Sequence, residues 1–520
     1  MVPHFFMRLE SMPMTASGKI DRKNLPLPDF GKTDKSYVEP TNDLQKKLCD
    51  IYAKTLGCEH YGITNDFFEM GGDSLSAIQI LVSAEEAGMK LALQNIFDYP
   101  NIEVLSQMIE KGISEKNNWS KEQFTKYEPL LRNNRQIGQV PQKHPLGDVF
   151  LTGATGFLGI HILEKLLLEE TGKIYCLVRG ADHKEAENRL LDTMAYYFDH
   201  LYDNLIDDRI FVICGDITSD TISDELPVHV DMVIHAAASV KHYGEYRYFE
   251  KINVIGTNNV LAYAKQQHAK YLHISTVSVS GNSFADTMDI VKADKEIDFT
   301  EGDLYIEQPL ENVYVRSKFM GELAVLDAML EGLEANIIRI GNLTNRYTDF
   351  KFQKNYSENA FLNRMKACME FGYIPEYLYD IYIEFSPVDM TADAILKIAQ
   401  HMNETYTVFH VNSDKGLYFK PLVKMLHSMK IPMKVISGTE YAKKLHETLQ
   451  HQEQKYIYEA FMNDMDENGN LQYDTKIHIK NDFTVAYLKQ LGFEWNTVDE
   501  RYLKGYLEYF RTLGYLEVQP

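Results

Sequence analysis

Hydrophobic and polar positions change rhythm along this chain, and each rhythm predicts a different kind of element. From residue 38 to 111 apolar side chains recur at helical spacing. Leu44, Leu48, Ile51 and Tyr52 share one face, and Leu75, Ile78 and Leu81 share another, the pattern of a small helical bundle. Residues 112–145 are polar and weakly periodic and read as a linker with one helix. At Asp148 the pattern becomes short apolar runs, "DVFLTG", "KIYCLVRG", "RIFVICGD", "DMVIHAA" and "YLHIST", separated by helical stretches. Such strands alternating with helices predict an α/β fold, a doubly wound parallel sheet buried on both faces. Beyond Asn345 the pattern is mostly helical, with "YIEFSPVD" and "YTVFHVNS" expected to return to the sheet as late strands. Residues 1–33 are broken by prolines and too short to bury a core of their own.

Composition narrows the class. At 520 residues, 45% hydrophobic and 12% aromatic, the chain has ample material for several packed cores. A formal charge of −22 argues against a nucleic-acid backbone as the main partner. The five cysteines show neither a C-x-x-C pair nor metal-ligand spacing, so reduced thiols in a reducing compartment are expected. Neither a bilayer-spanning apolar run nor a signal-peptide pattern is read in the sequence, and a cytoplasmic location without membrane partners is expected.

"TGATGFLG" lies between an expected strand and an expected helix, the setting in which a glycine pattern signals a dinucleotide. Gly153 suits a tight turn, Gly156 a backbone approaching pyrophosphate, and Gly159 close helix–strand packing. The helix from Phe157 aims free amides and its positive end at the phosphates. The second strand ends in Arg179, where an acidic residue would suit NAD; a cation there suits the 2′-phosphate of NADP, and NADPH is the expected cofactor. Asp216, at the end of the third strand, is expected beside the adenine. Around these anchors the expected cofactor contacts include Thr152, Thr155, Leu158, Arg189, Ile217, Ala236, Ala237 and Ala238.

"NVYVRSKFMGE" places Tyr314 and Lys318 one helical turn apart, on the same side. A phenol titrating near ~10 is a poor acid–base group at neutral pH, and a neighbouring ammonium lowers that value toward usefulness. Upstream, "LHISTVSVSG" supplies a hydroxyl at a strand end; Thr276 is expected to align the substrate oxygen, with Ser275 its near competitor.

With "HAAASV" and "INVIGT" in matching order, residues 145–520 resemble the extended short-chain dehydrogenase/reductase family. The resemblance implies Tyr314 as proton donor, Lys318 as its tuner and ribose clamp, and Thr276 as the third catalytic hydroxyl. It also implies Asn253 as a structural or proton-relay asparagine. "IIRIGNLTNR", "FSPVDMTADAI" and "LGFEWNTVDERYLKGYLEYF" are similar to terminal thioester reductases of nonribosomal peptide synthetases and to alpha-aminoadipate reductases. "DFFEMGGDSLSAIQI" resembles the carrier-protein signature, which implies Ser74 as the attachment point of 4′-phosphopantetheine, installed by a phosphopantetheinyl transferase. A helix N-terminus is physically suited to a phosphodiester. "MPMTASGKIDRKNLP" resembles the end of an adenylation domain, with Lys19 at its catalytic position.

The expected organisation is therefore an adenylation remnant (1–33), a peptidyl carrier of four helices (38–111), a linker (112–145), a Rossmann-type NADPH domain (146–345) and a substrate-binding subdomain (346–520). The expected function is reductive release of an acyl or peptidyl thioester as aldehyde or alcohol, by a monomer working with upstream synthetase domains. The alternatives are an aminoadipate or carboxylic acid reductase fragment, and a redox-inactive cyclase or docking module on the same fold. "DMDENGNLQYDT" resembles a calcium loop but lacks the closing glutamate, and no metal is expected.

Overall fold

The computed structural model describes residues 37–516 except 73, 90, 92, 112–118, 139, 228, 242–243, 282–296, 309, 311, 462–470 and 472–476. Lys19 and, Leu471 apart, the calcium-like stretch therefore lie outside the described residues. The chain divides into two compact units, chiefly residues up to Lys116 and residues from Asn117 on.

In the first unit four helices, α1 (Asp43–Leu56), α2 (Ser74–Glu86), α3 (Leu93–Asp98) and α4 (Ile102–Lys111), close around Leu48, Tyr52, Phe67, Ile80 and Leu105. Asn42 caps α1 by accepting from the Gln45 amide at 2.8 Å, and Gly57 ends it in the left-handed region at φ 69°. The fully buried residues described on α2 are Ala77, Ile80 and Ala84. Leu81, from the expected face, is partly buried against the same core.

In the second unit the apolar runs form one seven-stranded, all-parallel sheet. In chain order its strands are β1 (Val149–Thr152), β2 (Ile174–Val178), β3 (Ile210–Cys214), β4 (Met232–His235), β5 (Lys270–Thr276), β6 (Ala335–Ile340) and β7 (Val408–Val411). They lie side by side as β7-β6-β5-β4-β1-β2-β3, with a crevice at the reversal beyond β1, where doubly wound sheets bind ligands. One face packs under α5 (Phe157–Glu169), α6 (His183–Phe198) and, from the late chain, Val388–Gln400. The other packs under α7 (Gly256–Gln267) and α8 (Val313–Leu330). A third core, around Phe385, Tyr441, Tyr506 and Phe510, belongs to the late helices.

Two sequence expectations need correction. "YTVFHVNS" does supply β7, but "YIEFSPVD" stays out of the main sheet: Tyr382–Ile383 pairs antiparallel with Leu417–Tyr418, and Ser386–Pro387 pairs with Leu343–Thr344. The proline has no amide hydrogen for a ladder, which confines such a strand to a margin. The stretch read as a linker is packed from Trp119 on. Trp119, Phe124, Tyr127 and Leu131 join the core beneath α8, Trp119 lying 5.6 Å from the Phe319 ring. Asn134 bonds both the Thr407 amide and the Val408 carbonyl, covering part of the outer edge of β7. Much of this segment is 3₁₀ turns, whose apolar positions follow neither period that sequence reading looks for.

Replacing fully buried Phe319 by alanine should cost about 3–5 kcal/mol of stability, measured by urea unfolding of the second unit's tryptophan fluorescence. Trp119→Ala should cost less, since Trp119 is only partly buried; an unchanged midpoint in both would refute the packed-segment reading.

Candidate functional site

β1 ends at Thr152 and α5 begins at Phe157, leaving Gly153–Gly156 to turn the chain. Gly153 sits at φ 78°, and a Cβ there would stand 2.7 Å from the backbone of Ala236 and Ala237. A Cβ on Gly159 would collide with the Gly153 carbonyl oxygen. Both positions must be bare for the turn to close. Gly156 is the N-cap of α5, and no side chain caps the helix. The first-turn amides are thus available to an anion, which fits the pyrophosphate of a nicotinamide dinucleotide.

The neighbouring contacts fall into two groups. Leu158 and Ile217 bury their side chains in the two sheet-face cores, and the Phe157 ring packs edge-on against Phe352, so these three side chains are spent on packing. Arg179 is exposed just past β2, and Arg189 on α6 reaches the Arg179 carbonyl at 3.4 Å. The carboxylates nearby are engaged locally: Asp182 caps α6, and Glu185 accepts from the Ala181 amide at 2.8 Å. Asp216 closes an Asx turn onto the Thr218 amide at 2.8 Å.

At the reaction end, Asn312 caps α8 and so fixes where its first turn begins. Tyr314 stands beside Thr276 there, at the tip of β5, close enough for the threonine hydroxyl to act on the phenol. Burial raises the phenol above its ordinary value, and the Thr276 hydrogen bond opposes that rise. The expected lowering by the lysine does not dominate; the phenol is held protonated, the form a proton donor requires. Thr276 Oγ also accepts from the Ser278 amide at 3.2 Å, leaving its hydrogen free for the phenol oxygen. Ser275 is committed elsewhere: it donates to Glu322 at 2.5 Å, and Glu322 is held by Arg339 at 2.8 Å, with both ions fully buried. That separates Thr276 from its near competitor.

One turn along α8, the Lys318 ammonium donates to the Ile274 carbonyl at 2.6 Å. Burial brings it down to about 8, with Glu322 pulling the other way. Asn253 lies in a single π turn, Glu250–Ile255. Its side chain accepts from the Ser239 amide at 2.8 Å and donates to the Ser239 carbonyl at 3.0 Å and to Ser317 Oγ at 2.9 Å. It therefore ties the loop after β4 to α8, and no bond from Asn253 to Lys318 appears among these contacts.

Sequence reading missed two buried histidines, His235 and His273, although both sit in stretches it had singled out. Their signal was a polar residue inside an otherwise apolar buried strand. His235 Nδ1 contacts Thr152 Oγ at 2.8 Å and Nε2 contacts Thr257 Oγ at 3.2 Å. Thr257 donates to the Asn253 carbonyl at 2.7 Å, so its lone pairs must receive His235 Nε2–H, and Thr152 must donate to Nδ1. Burial lowers His235 to about 3, keeping the ring neutral. The nucleotide turn and the π turn are joined through this one ring. Among the described residues no cluster of three His, Cys, Asp or Glu could hold a metal ion, and no helix is long and apolar enough to cross a membrane.

Ser74 is the first residue of α2. Residues 46–109 match the family model described as phosphopantetheine attachment site, and residues 151–395 match the NAD-binding model described as male sterility protein. A solved thiolation-reductase di-domain from an archaeal non-ribosomal peptide synthetase is 33% identical, with a TM-score of 0.76, over 93% of this chain and 100% of that one. A linear gramicidin synthase polypeptide of Brevibacillus parabrevis is 26% identical over 100% of the chain, and L-2-aminoadipate reductase of Schizosaccharomyces pombe 25% over 99%. The chain spans 10% and 39% of those two proteins' lengths.

Gly153→Ala should weaken dinucleotide binding at least ~10-fold, since turn and Ala236–Ala237 backbone cannot both stay in place. Fluorescence titration with NAD(P)H measures it, and unchanged affinity would disprove the cradle.

Proposed function

We propose, for a chain that belongs to the thiolation–reductase di-domains of non-ribosomal peptide synthetases, that it reduces an acyl or peptidyl thioester carried on its own phosphopantetheine arm and releases an aldehyde. The carrier is residues 38–111 with the arm on Ser74, installed by a phosphopantetheinyl transferase. The reductase is residues 146–345 with a substrate-binding region in 346–520, and residues 1–33 are the tail of an upstream adenylation domain. The observation that carries the reading is buried Lys318, bonded to the Ile274 carbonyl one turn along α8 from Tyr314 with Thr276 beside the phenol, in a chain that also holds the attachment site.

A bound nicotinamide supplies the hydride. Thr276 and Tyr314 hold the carbonyl oxygen, and the Tyr314 proton passes to that oxygen as negative charge develops on it. The product of hydride plus proton is a hemithioacetal, which collapses to the aldehyde and the free pantetheine thiol. Lys318 clamps the ribose and keeps positive charge near the phenolate left behind. The first-turn amides of α5 hold the pyrophosphate, and Arg179 with Arg189 takes the 2′-phosphate, making NADPH the preferred donor. The same groups would serve an aminoadipate-type reductase, a reading favoured by the match to the fission yeast enzyme; the adenylation pocket upstream would distinguish them.

Chain loaded at Ser74 with a butyryl-phosphopantetheine arm should oxidise NADPH and release butanal or butanol, identified by mass spectrometry. Tyr314→Phe should slow this by roughly 100-fold or more without loss of NADPH binding, and Ser74→Ala should abolish it. NADPH binding with no oxidation across several acyl groups would defeat the reductase reading and favour a docking module. Separately, Arg179→Ser should weaken NADPH binding about 10-fold and leave NADH binding unchanged; equal losses for both would remove Arg179 from the 2′-phosphate site.

A further inference from the structure

His273 lies in the middle of β5, fully buried, in register with His235 on β4. Tyr271, His273 and Ser275 follow at alternate positions and so share one side of the strand, with Tyr271 and His273 stacked at 6.3 Å. Ser275 meets Glu322 of α8, and His273 Nε2 lies 3.5 Å from Lys318 Nζ, one turn earlier on that helix. Among the described residues Nδ1 of His273 has no hydrogen-bond partner, and the ring's one polar contact there is with the lysine. Burying an imidazole this completely costs more than burying the phenylalanine that would fill the same stack.

We propose that His273 is a positioning residue that accepts a hydrogen bond from the Lys318 ammonium and holds it, together with the Ile274 carbonyl, at the station from which the lysine serves Tyr314 and the ribose. The proposal rests on the reductase reading above. The other groups turned toward Lys318 are accounted for. On its own helix stand Tyr314, beside Thr276, and Glu322, which favours the ammonium's charge but spends its oxygens on Arg339 and Ser275. From the sheet come the Ile274 carbonyl and His235, the latter closed into its threonine bonds. Asn253 gives both amide hydrogens to Ser239 and Ser317 and its oxygen accepts from the Ser239 amide, with no bond to Lys318 among these contacts. The acceptor beside the lysine is therefore His273, an imidazole kept neutral by burial and by the ammonium itself.

The test uses the full chain, loaded at Ser74 with the butyryl arm, and two readouts. One is the pH profile of single-turnover NADPH oxidation. The other is an NMR titration with isotope-labelled lysine and histidine, assigned with Lys318→Met and His273→Phe. In wild type the His273 ring should remain neutral and its resonances should step at the pH where Lys318 loses its proton. His273→Phe should move the Lys318 midpoint and the basic limb of turnover down together by about one pH unit. His273→Gln, which keeps an acceptor, should bring both back toward wild type. An unmoved Lys318 midpoint in His273→Phe, with turnover lowered equally at every pH, would overturn the proposal and leave a packing role. Should that variant not fold, wild-type His273 resonances blind to the lysine titration would overturn it equally. A wild type that never oxidises NADPH would sink the reductase reading instead, with the titration still deciding the role of His273.

Discussion

An ammonium buried at the end of a parallel sheet needs acceptors on every side that water would otherwise fill, and Lys318 sets that condition for this molecule. Stripping a lysine of water disfavours its charge, which is why it sits near 8. The charge that favours its protonated form is the Glu322 carboxylate one turn along the same helix, while the Ile274 carbonyl accepts from it and the His273 ring lies 3.5 Å away. The contacts with Ile274 and His273 depend on α8 lying in one register against β5.

That register is held by a second buried charge. Arg339 grips Glu322 through Nε and Nη2, donates to the Asp303 carbonyl, and rests against His410, whose other nitrogen bonds the Lys480 carbonyl at 2.6 Å. A buried pair of this kind adds little net stability over apolar packing, but removing one partner strands the other and costs about 3–5 kcal/mol. Its effect is therefore orientational. It lets α8 occupy one rotation on the sheet, the one that sets Tyr314 against Thr276 and Lys318 against Ile274. The Asn253 bonds to Ser239 and Ser317 fix the same helix from the side of the glycine turn, so that turn and Tyr314 are located relative to each other by buried polar contacts.

Part of this was legible in the chain because its physics is local. The glycine turn reads directly, since Gly153 and Gly159 are demanded by backbone geometry within a few residues. Tyr314 and Lys318 read together because helical spacing alone puts them on one side. The packed segment around Trp119 did not read, because 3₁₀ turns carry no usable period. Nor did the choice between Ser275 and Thr276: one strand offers both hydroxyls, and only the presence of Glu322 across the interface claims Ser275.

The sequence by itself determined the parallel α/β sheet, the cradle, the Tyr–Lys pair and the serine opening α2, all consequences of residue type and spacing along one segment. The tertiary structure alone decided which hydroxyl joins the tyrosine, that Asn253 braces α8, that the phenol stays protonated, and that two histidines stand behind the lysine. Those outcomes depend on strand register and on burial. Register brings His235 beside His273 from positions far apart in the chain, and burial keeps both rings neutral and raises the Tyr314 phenol; neither is written in any single stretch of sequence.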